Sequence, residues 1–138
     1  QQAEQVGFMV RQGDGWELGY SPDGLVGTDG LIEIKCPRAK THLKTILADE
    51  VPDHYYAQVQ AGLLVSGRKW LDWISFNAGM PLYVKRVYPD PAWFAAIEAA
   101  CRAFEQRATE VVAEYRTKVR DLPPTVRIDP NTVELKLA

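Results

Sequence analysis

Asp23, Glu33 and Lys35 are the residues of this chain whose types and spacing suit a reaction. Glu33 and Lys35 stand two apart in the alternating segment Leu31-Ile32-Glu33-Ile34-Lys35. A strand sends successive side chains to opposite faces, so the carboxylate and the ammonium leave one face together while Ile32 and Ile34 leave the other. Asp23 ends the preceding strand-like stretch, and the intervening turn can bring it back beside Glu33. Two carboxylates and an ammonium converging on one spot are the set that phosphodiester hydrolysis needs. Their oxygens suit Mg²⁺, or Mn²⁺ in its place, because such an ion binds through one or two carboxylates and keeps several waters. It would polarise a phosphoryl oxygen, with a second ion ~3.5–4 Å away stabilising the leaving oxygen. The Ile34 carbonyl is placed to be a further ligand. Lys35 can orient the attacking water, favour its deprotonated form, or offset charge growing on phosphorus.

Each piece also has an ordinary structural reading. Pro-Asp-Gly is a turn sequence, and Glu-x-Lys on a strand is commonly a solvent-facing pair. Their conjunction, at a spacing that a hairpin can close, favours the chemical reading.

The surrounding pattern supplies elements able to position these residues. Val6 to Arg11 reads as a strand, Gly13-Asp14-Gly15 as a turn, and Trp16 to Tyr20 as the return strand. Gly27-Thr28-Asp29-Gly30 is a second turn before the Leu31–Lys35 strand, which Pro37 ends. A short helix follows from Thr41 to about Ala48 and breaks near Pro52; Asp53 is placed to cap a second helix to Ser66, with Gly67 closing it. Lys69–Phe76 and Leu82–Val87 read as a hairpin around Asn77-Ala78-Gly79-Met80-Pro81. From Ala92 to about Arg120 the pattern is one long helix, with Trp93, Ile97, Ala100, Phe104 and Ala108 as a core-facing stripe. The order predicts a mixed α/β (α+β) domain: a small, mostly antiparallel central sheet flanked by helices.

Bulk properties agree with one globular domain. At 138 residues, with 46% hydrophobic and 25% charged, the chain is neither disordered nor long enough for two comfortable domains. No apolar run approaches the ~20 residues of a membrane span. Cys36 and Cys101 form no metal-binding or disulfide spacing, so a reducing cytoplasm is expected. The net charge of −2 does not announce nucleic acid, but phosphate neutralisation can be confined to one face. Lys35, Arg38, Lys40 and Lys44 form a basic run without an acid until Asp49. That run reads equally as a solvated loop or as a DNA-facing stretch in which Arg38 is the substrate-binding candidate.

Three blocks in order carry a family resemblance: Ser21-Pro22-Asp23-Gly24-Leu25, Leu31-Ile32-Glu33-Ile34-Lys35-Cys36-Pro37, and Tyr55-Tyr56-Ala57-Gln58-Val59-Gln60. Together they resemble the lambda-type phage alkaline exonucleases (viral recombinases) of the PD-(D/E)xK nuclease superfamily. The resemblance runs from about Val6 to Arg120 and implies a restriction-endonuclease-like core. It assigns Asp23 and Glu33 to metal binding and Lys35 to activating water. It places Gln58 and its neighbour Tyr55, three apart on one helical face, along the active site, and Ser21 close to the bound phosphate. His42 and His54 match no catalytic position and read as surface or capping residues.

The resemblance further implies a Mg²⁺-dependent exonuclease on linear double-stranded DNA ends. Such an enzyme would resect 5′-to-3′, leave 3′ overhangs, work with a single-strand annealing protein and form a homotrimer. A restriction-like endonuclease and a catalytically inactive nuclease-fold binding module are the alternatives. In the family a further Glu sits on a helix before the first strand, and an Arg near the amino end grips the terminal phosphate; no stretch here matches either. Residues 1–121 are therefore expected to be a nuclease core lacking its N-terminal helical part, and 122–138 an extended tail. A fragment of that kind is expected to bind divalent ions weakly and to have little activity of its own.

Overall fold

The structure, a computed structural model, describes residues 3–127. Most of the segment read as a tail thus lies outside the described residues. Seven strands and three helices follow one another: β1 (Ala3–Glu4), β2 (Met9–Gly13), β3 (Trp16–Tyr20), β4 (Gly24–Val26), β5 (Gly30–Lys35), α1 (Ala39–Ala48), α2 (Asp53–Ser66), β6 (Trp70–Ser75), β7 (Tyr83–Val87) and α3 (Pro91–Lys118). Two compact units can be distinguished, one ending at Glu105 and one beginning at Gln106. The first holds both sheets, α1, α2 and the start of α3; the second holds the remainder of α3 and the segment that follows it.

The main sheet has the order β1-β4-β5-β6-β7, and β2 and β3 form a separate hairpin. Among the described residues, only the β5–β6 pair is parallel. Parallel neighbours cannot be joined by a tight turn, so the chain crosses over through α1 and α2 between them. The expected mixed α+β architecture with a mostly antiparallel sheet is the one observed. The strands β1 and β4 were not read from the sequence: two and three residues are too few for a period to register.

The side chains of Leu31, Leu71 and Trp73, from the adjacent strands β5 and β6, are buried with Val59 and Leu63 of α2 and with Tyr20 of β3. Each fully buried aliphatic side chain of this kind contributes about 1.5–3 kcal/mol relative to exposure. Helix α2 is closed by Gly67 at φ 67°, as expected of a residue that meets no Cβ penalty in the left-handed region. Its start differs from expectation. Pro52 is the N-cap and Asp53 the first helical residue, with no side-chain cap bond; the Asp53 carboxylate instead faces the positive end of the helix dipole. Arg68 then ties the end of α2 to the β4–β5 turn, donating from Nη1 to the Gly27 oxygen at 2.8 Å and to the Gly30 oxygen at 3.0 Å.

His42 is not at the surface. It is fully buried, 2.7 Å from Ser75 Oγ through Nδ1 and 2.9 Å from the Pro81 carbonyl through Nε2. A carbonyl only accepts, so Nε2 carries the proton in that bond. One side chain therefore joins α1 to the end of β6 and to the turn leading into β7.

The stripe expected to make α3 a core helix is not buried: no residue of α3 is, and Phe104 is 70% exposed. The helix meets the core near its start, where Phe94 packs against the buried cluster and the Trp93 ring lies 5.5 Å from that of Tyr56. A periodic stripe shows which face a helix could bury, but something must be there to cover it.

Two substitutions test this picture by thermal unfolding. His42→Phe leaves the buried Ser75 hydroxyl and Pro81 carbonyl without their partner and should cost about 1–3 kcal/mol. Phe104→Ser should change stability by no more than about 0.5 kcal/mol, as expected of an exposed position.

Candidate active site

The β4–β5 pairing places the first carboxylate. Gly24 is opposite Ile32 in antiparallel register, so the residue before Gly24 comes level with the one after Ile32. Asp23 thus reaches β5, where its Oδ2 accepts the Ile34 backbone N–H at 2.6 Å. Its side chain remains at the surface while its neighbour across the pairing is buried.

Glu33 is only 4% exposed. Isolating a carboxylate from water is expensive unless donors replace the water, and three elements provide them. Tyr20 at the end of β3 donates its hydroxyl to Oε2 at 2.8 Å. Lys35, two residues along β5, approaches Oε1 at 2.7 Å, and Gln58 of α2 donates Nε2 to the same oxygen at 2.8 Å. Lys35 Nζ also lies 5.1 Å from the centre of the Tyr55 ring, which in turn lies 5.8 Å from that of Trp73. Trp73 is the register partner of Glu33 on β6.

Burial raises the Tyr20 phenol well above its ordinary range, and the negative charge of Glu33, its hydrogen bond and the charge of Asp23 push in the same direction. Tyr20 therefore stays protonated and remains a donor. Its ring is accommodated by Gly62 of α2: a Cβ there would lie 2.7 Å from the ring carbon that bears the hydroxyl. The sequence reading missed Tyr20. The available signal was the period-two placing of Trp16, Leu18 and Tyr20, whose inward burial ends on the tyrosine.

Asp23, Glu33, Lys35, Tyr55 and Gln58 lie together in the structure, and Ile34 joins them through its amide bond to Asp23. Ser21 is exposed between Tyr20 and the Pro22-Asp23 turn. Arg38 is also exposed; it is the N-cap of α1, and its carbonyl accepts from the Thr41 and His42 amides at 2.9 and 3.0 Å. Its place at the helix start keeps it on the rim, not among the residues around Glu33.

The oxygens of Asp23 and Glu33 form a hard donor set on adjacent strands, suited to a small divalent cation. Among the described residues no group of three or more His, Cys, Asp or Glu could hold a metal ion. Such an ion would therefore need backbone oxygen or water to complete its shell, which is the usual habit of Mg²⁺.

Comparison with known proteins finds likenesses of family and fold. Residues 2–69 match the YqaJ-like viral recombinase domain, a span that contains Tyr20, Asp23, Glu33, Lys35, Tyr55 and Gln58. The chain is similar to an alkaline exonuclease, LHK-Exo, from Laribacter hongkongensis, with 33% identity and a TM-score of 0.77. The match covers 88% of this chain and 64% of that one, so the chain spans less than two thirds of that protein. The structure of LHK-Exo in complex with dAMP matches over the same shares with 33% identity and a TM-score of 0.80. A third structure, SSO0001, shares the fold at 16% identity and a TM-score of 0.54, over 74% of this chain and 50% of that one. No curated protein matches.

Glu33→Ala would leave the buried Tyr20 hydroxyl without an acceptor. A loss of about 1–3 kcal/mol is expected in urea unfolding with an unchanged m-value. Gln58→Ala, which releases an exposed donor, should cost less than about 1 kcal/mol.

Proposed function

We propose that the chain, whose residues 2–69 match the YqaJ-like viral recombinase domain, is the catalytic core of a Mg²⁺-dependent exonuclease that hydrolyses linear double-stranded DNA. The observation that carries the reading is the meeting of Asp23, Glu33 and Lys35 across the β4–β5 pairing. Asp23, Glu33 and the Ile34 carbonyl would hold the ion. When bound, Mg²⁺ supplies Lewis-acid polarisation of the phosphoryl group and of water.

The remaining work falls to the chain's own side chains. Lys35 orients the attacking water, favours its deprotonated form and offsets the negative charge that builds on phosphorus. The Tyr55 ring beneath Nζ restrains that ammonium through its π face. Gln58, anchored on Glu33, keeps α2 against the reacting centre. Ser21 donates its hydroxyl to the phosphate, and Arg38 neutralises the DNA backbone at the rim.

The capture of dAMP by the similar alkaline exonuclease supports a site shaped for a mononucleotide, the unit that stepwise cleavage releases. By the same likeness, the full-length protein would resect 5′-to-3′ and leave 3′ overhangs. It would supply these to a single-strand annealing protein, and work in the cytoplasm as a homotrimer.

End-labelled linear duplex and covalently closed circular DNA, incubated with Mg²⁺ and the full-length protein, test the reading. Mononucleotide release from the linear duplex, stopped by chelation, with the circle left intact, is the expected outcome; cleavage of the circle would sink the exonuclease assignment. Lys35→Ala should lower kcat about 10²–10³-fold while leaving DNA affinity, measured in Ca²⁺, unchanged.

A further inference from the structure

We propose that Tyr20 is a positioning residue of the cation site: its hydroxyl fixes the orientation of the Glu33 carboxylate and so sets the preference for an ion of strict coordination geometry. This rests on the reading of Asp23 and Glu33 as cation ligands.

The two oxygens of Glu33 are held in different ways. Oε1 is shared by Lys35 and Gln58, whose side chains sit at the edge of the site, that of Lys35 22% exposed. Either can move outward when an ion or a phosphate arrives. Oε2 is held by Tyr20, whose residue is 6% exposed and whose hydroxyl is at 2.8 Å. A phenol has a rigid ring and few torsions, and this ring has no room to swing. Helix α2 crosses it so closely that a Cβ on Gly62 would lie 2.7 Å from its Cζ. The donor on Oε2 is thus a fixed point, and those on Oε1 are adjustable.

A carboxylate oxygen has two lone pairs, so the bond from Tyr20 leaves Oε2 able to accept a second partner. What it removes is rotation of the carboxylate. That restriction matters little to Ca²⁺, which accepts six to eight oxygens in flexible arrangements, and much to Mg²⁺, which demands a near-ideal octahedron. Partners that orient metal ligands are worth about 10–100-fold in affinity.

The test is calorimetric titration of the chain with Mg²⁺ and, separately, Ca²⁺, without DNA. Tyr20→Phe keeps the ring and removes one oxygen. Its Mg²⁺ affinity should fall by about tenfold or more and its Ca²⁺ affinity by clearly less. Gly62→Ala, which pushes the ring from the other side, should act in the same direction. The double variant should bind Mg²⁺ no worse than the weaker single variant, because both act through one hydrogen bond. Asp23→Asn serves as the reference for loss of the site.

Wild-type affinities in Tyr20→Phe, or equal losses for the two ions, would overturn the role of Tyr20, provided that the wild type binds both ions and Asp23→Asn loses them. Wild-type protein that binds neither ion, or Asp23→Asn that binds both normally, would overturn the cation site and this inference with it.

Discussion

A carboxylate that is almost wholly removed from water governs the architecture around it. Glu33 is tolerable in the interior only while donors replace its lost hydration, and those donors come from β3, β5 and α2. The β2–β3 hairpin is not part of the main sheet, yet it must dock against α2 for Tyr20 to reach Oε2. Arg11 strengthens that docking by donating to the Leu64 carbonyl at 2.8 Å. Helix α2 must come close enough for Gln58 to touch the same carboxylate, and a glycine at position 62 is the consequence of that proximity. The elements that bury the core are also those that satisfy the charge.

The same constraint turns β5 inside out. Strand alternation normally hides the aliphatic side chains and exposes the charged ones, but Glu33 faces the core with Leu31, and Ile34 is 44% exposed. A period of two allows no compromise: bringing the glutamate inward sends its neighbours outward. On that outer face Ile34, Ile74 and Val84 stand in one row across β5, β6 and β7. The cation–π stack of Arg86 on Trp70, 3.7 Å from the ring centre, and the paired hydrogen bonds of Arg86 to Asp72 give that face polar groups as well.

Much of this was legible in the sequence where local rules decide. The β5 strand, the β6–β7 hairpin and the span of α2 follow from alternation, turn residues and Gly67. The return of Asp23 to the side of Glu33 was read from the turn between them, although β4, the short strand that sets the register, was not. What stayed hidden depends on partners remote in sequence. A tyrosine at a strand end looks the same whether its hydroxyl meets water or a buried glutamate thirteen positions on. His42 sits between exposed Thr41 and Leu43 on a helix with basic residues on either side, and nothing local says that its ring enters the interior between β6 and the β7 turn. The stripe of α3 misled for the opposite reason: its period is genuine, but burial requires a second surface that the sequence pattern cannot specify.

The bond from the Ile34 amide to Asp23 has a further consequence. That N–H is a main-chain group of β5 whose acceptor is a side chain at the edge of the site. Its protection from solvent exchange therefore reports on the carboxylate as well as on the sheet. Were Asp23 drawn towards a ligand, the amide would feel the change directly through its resonance and its exchange rate. The strand would then carry its own indicator of whether the proposed site is engaged, without a label and without turnover.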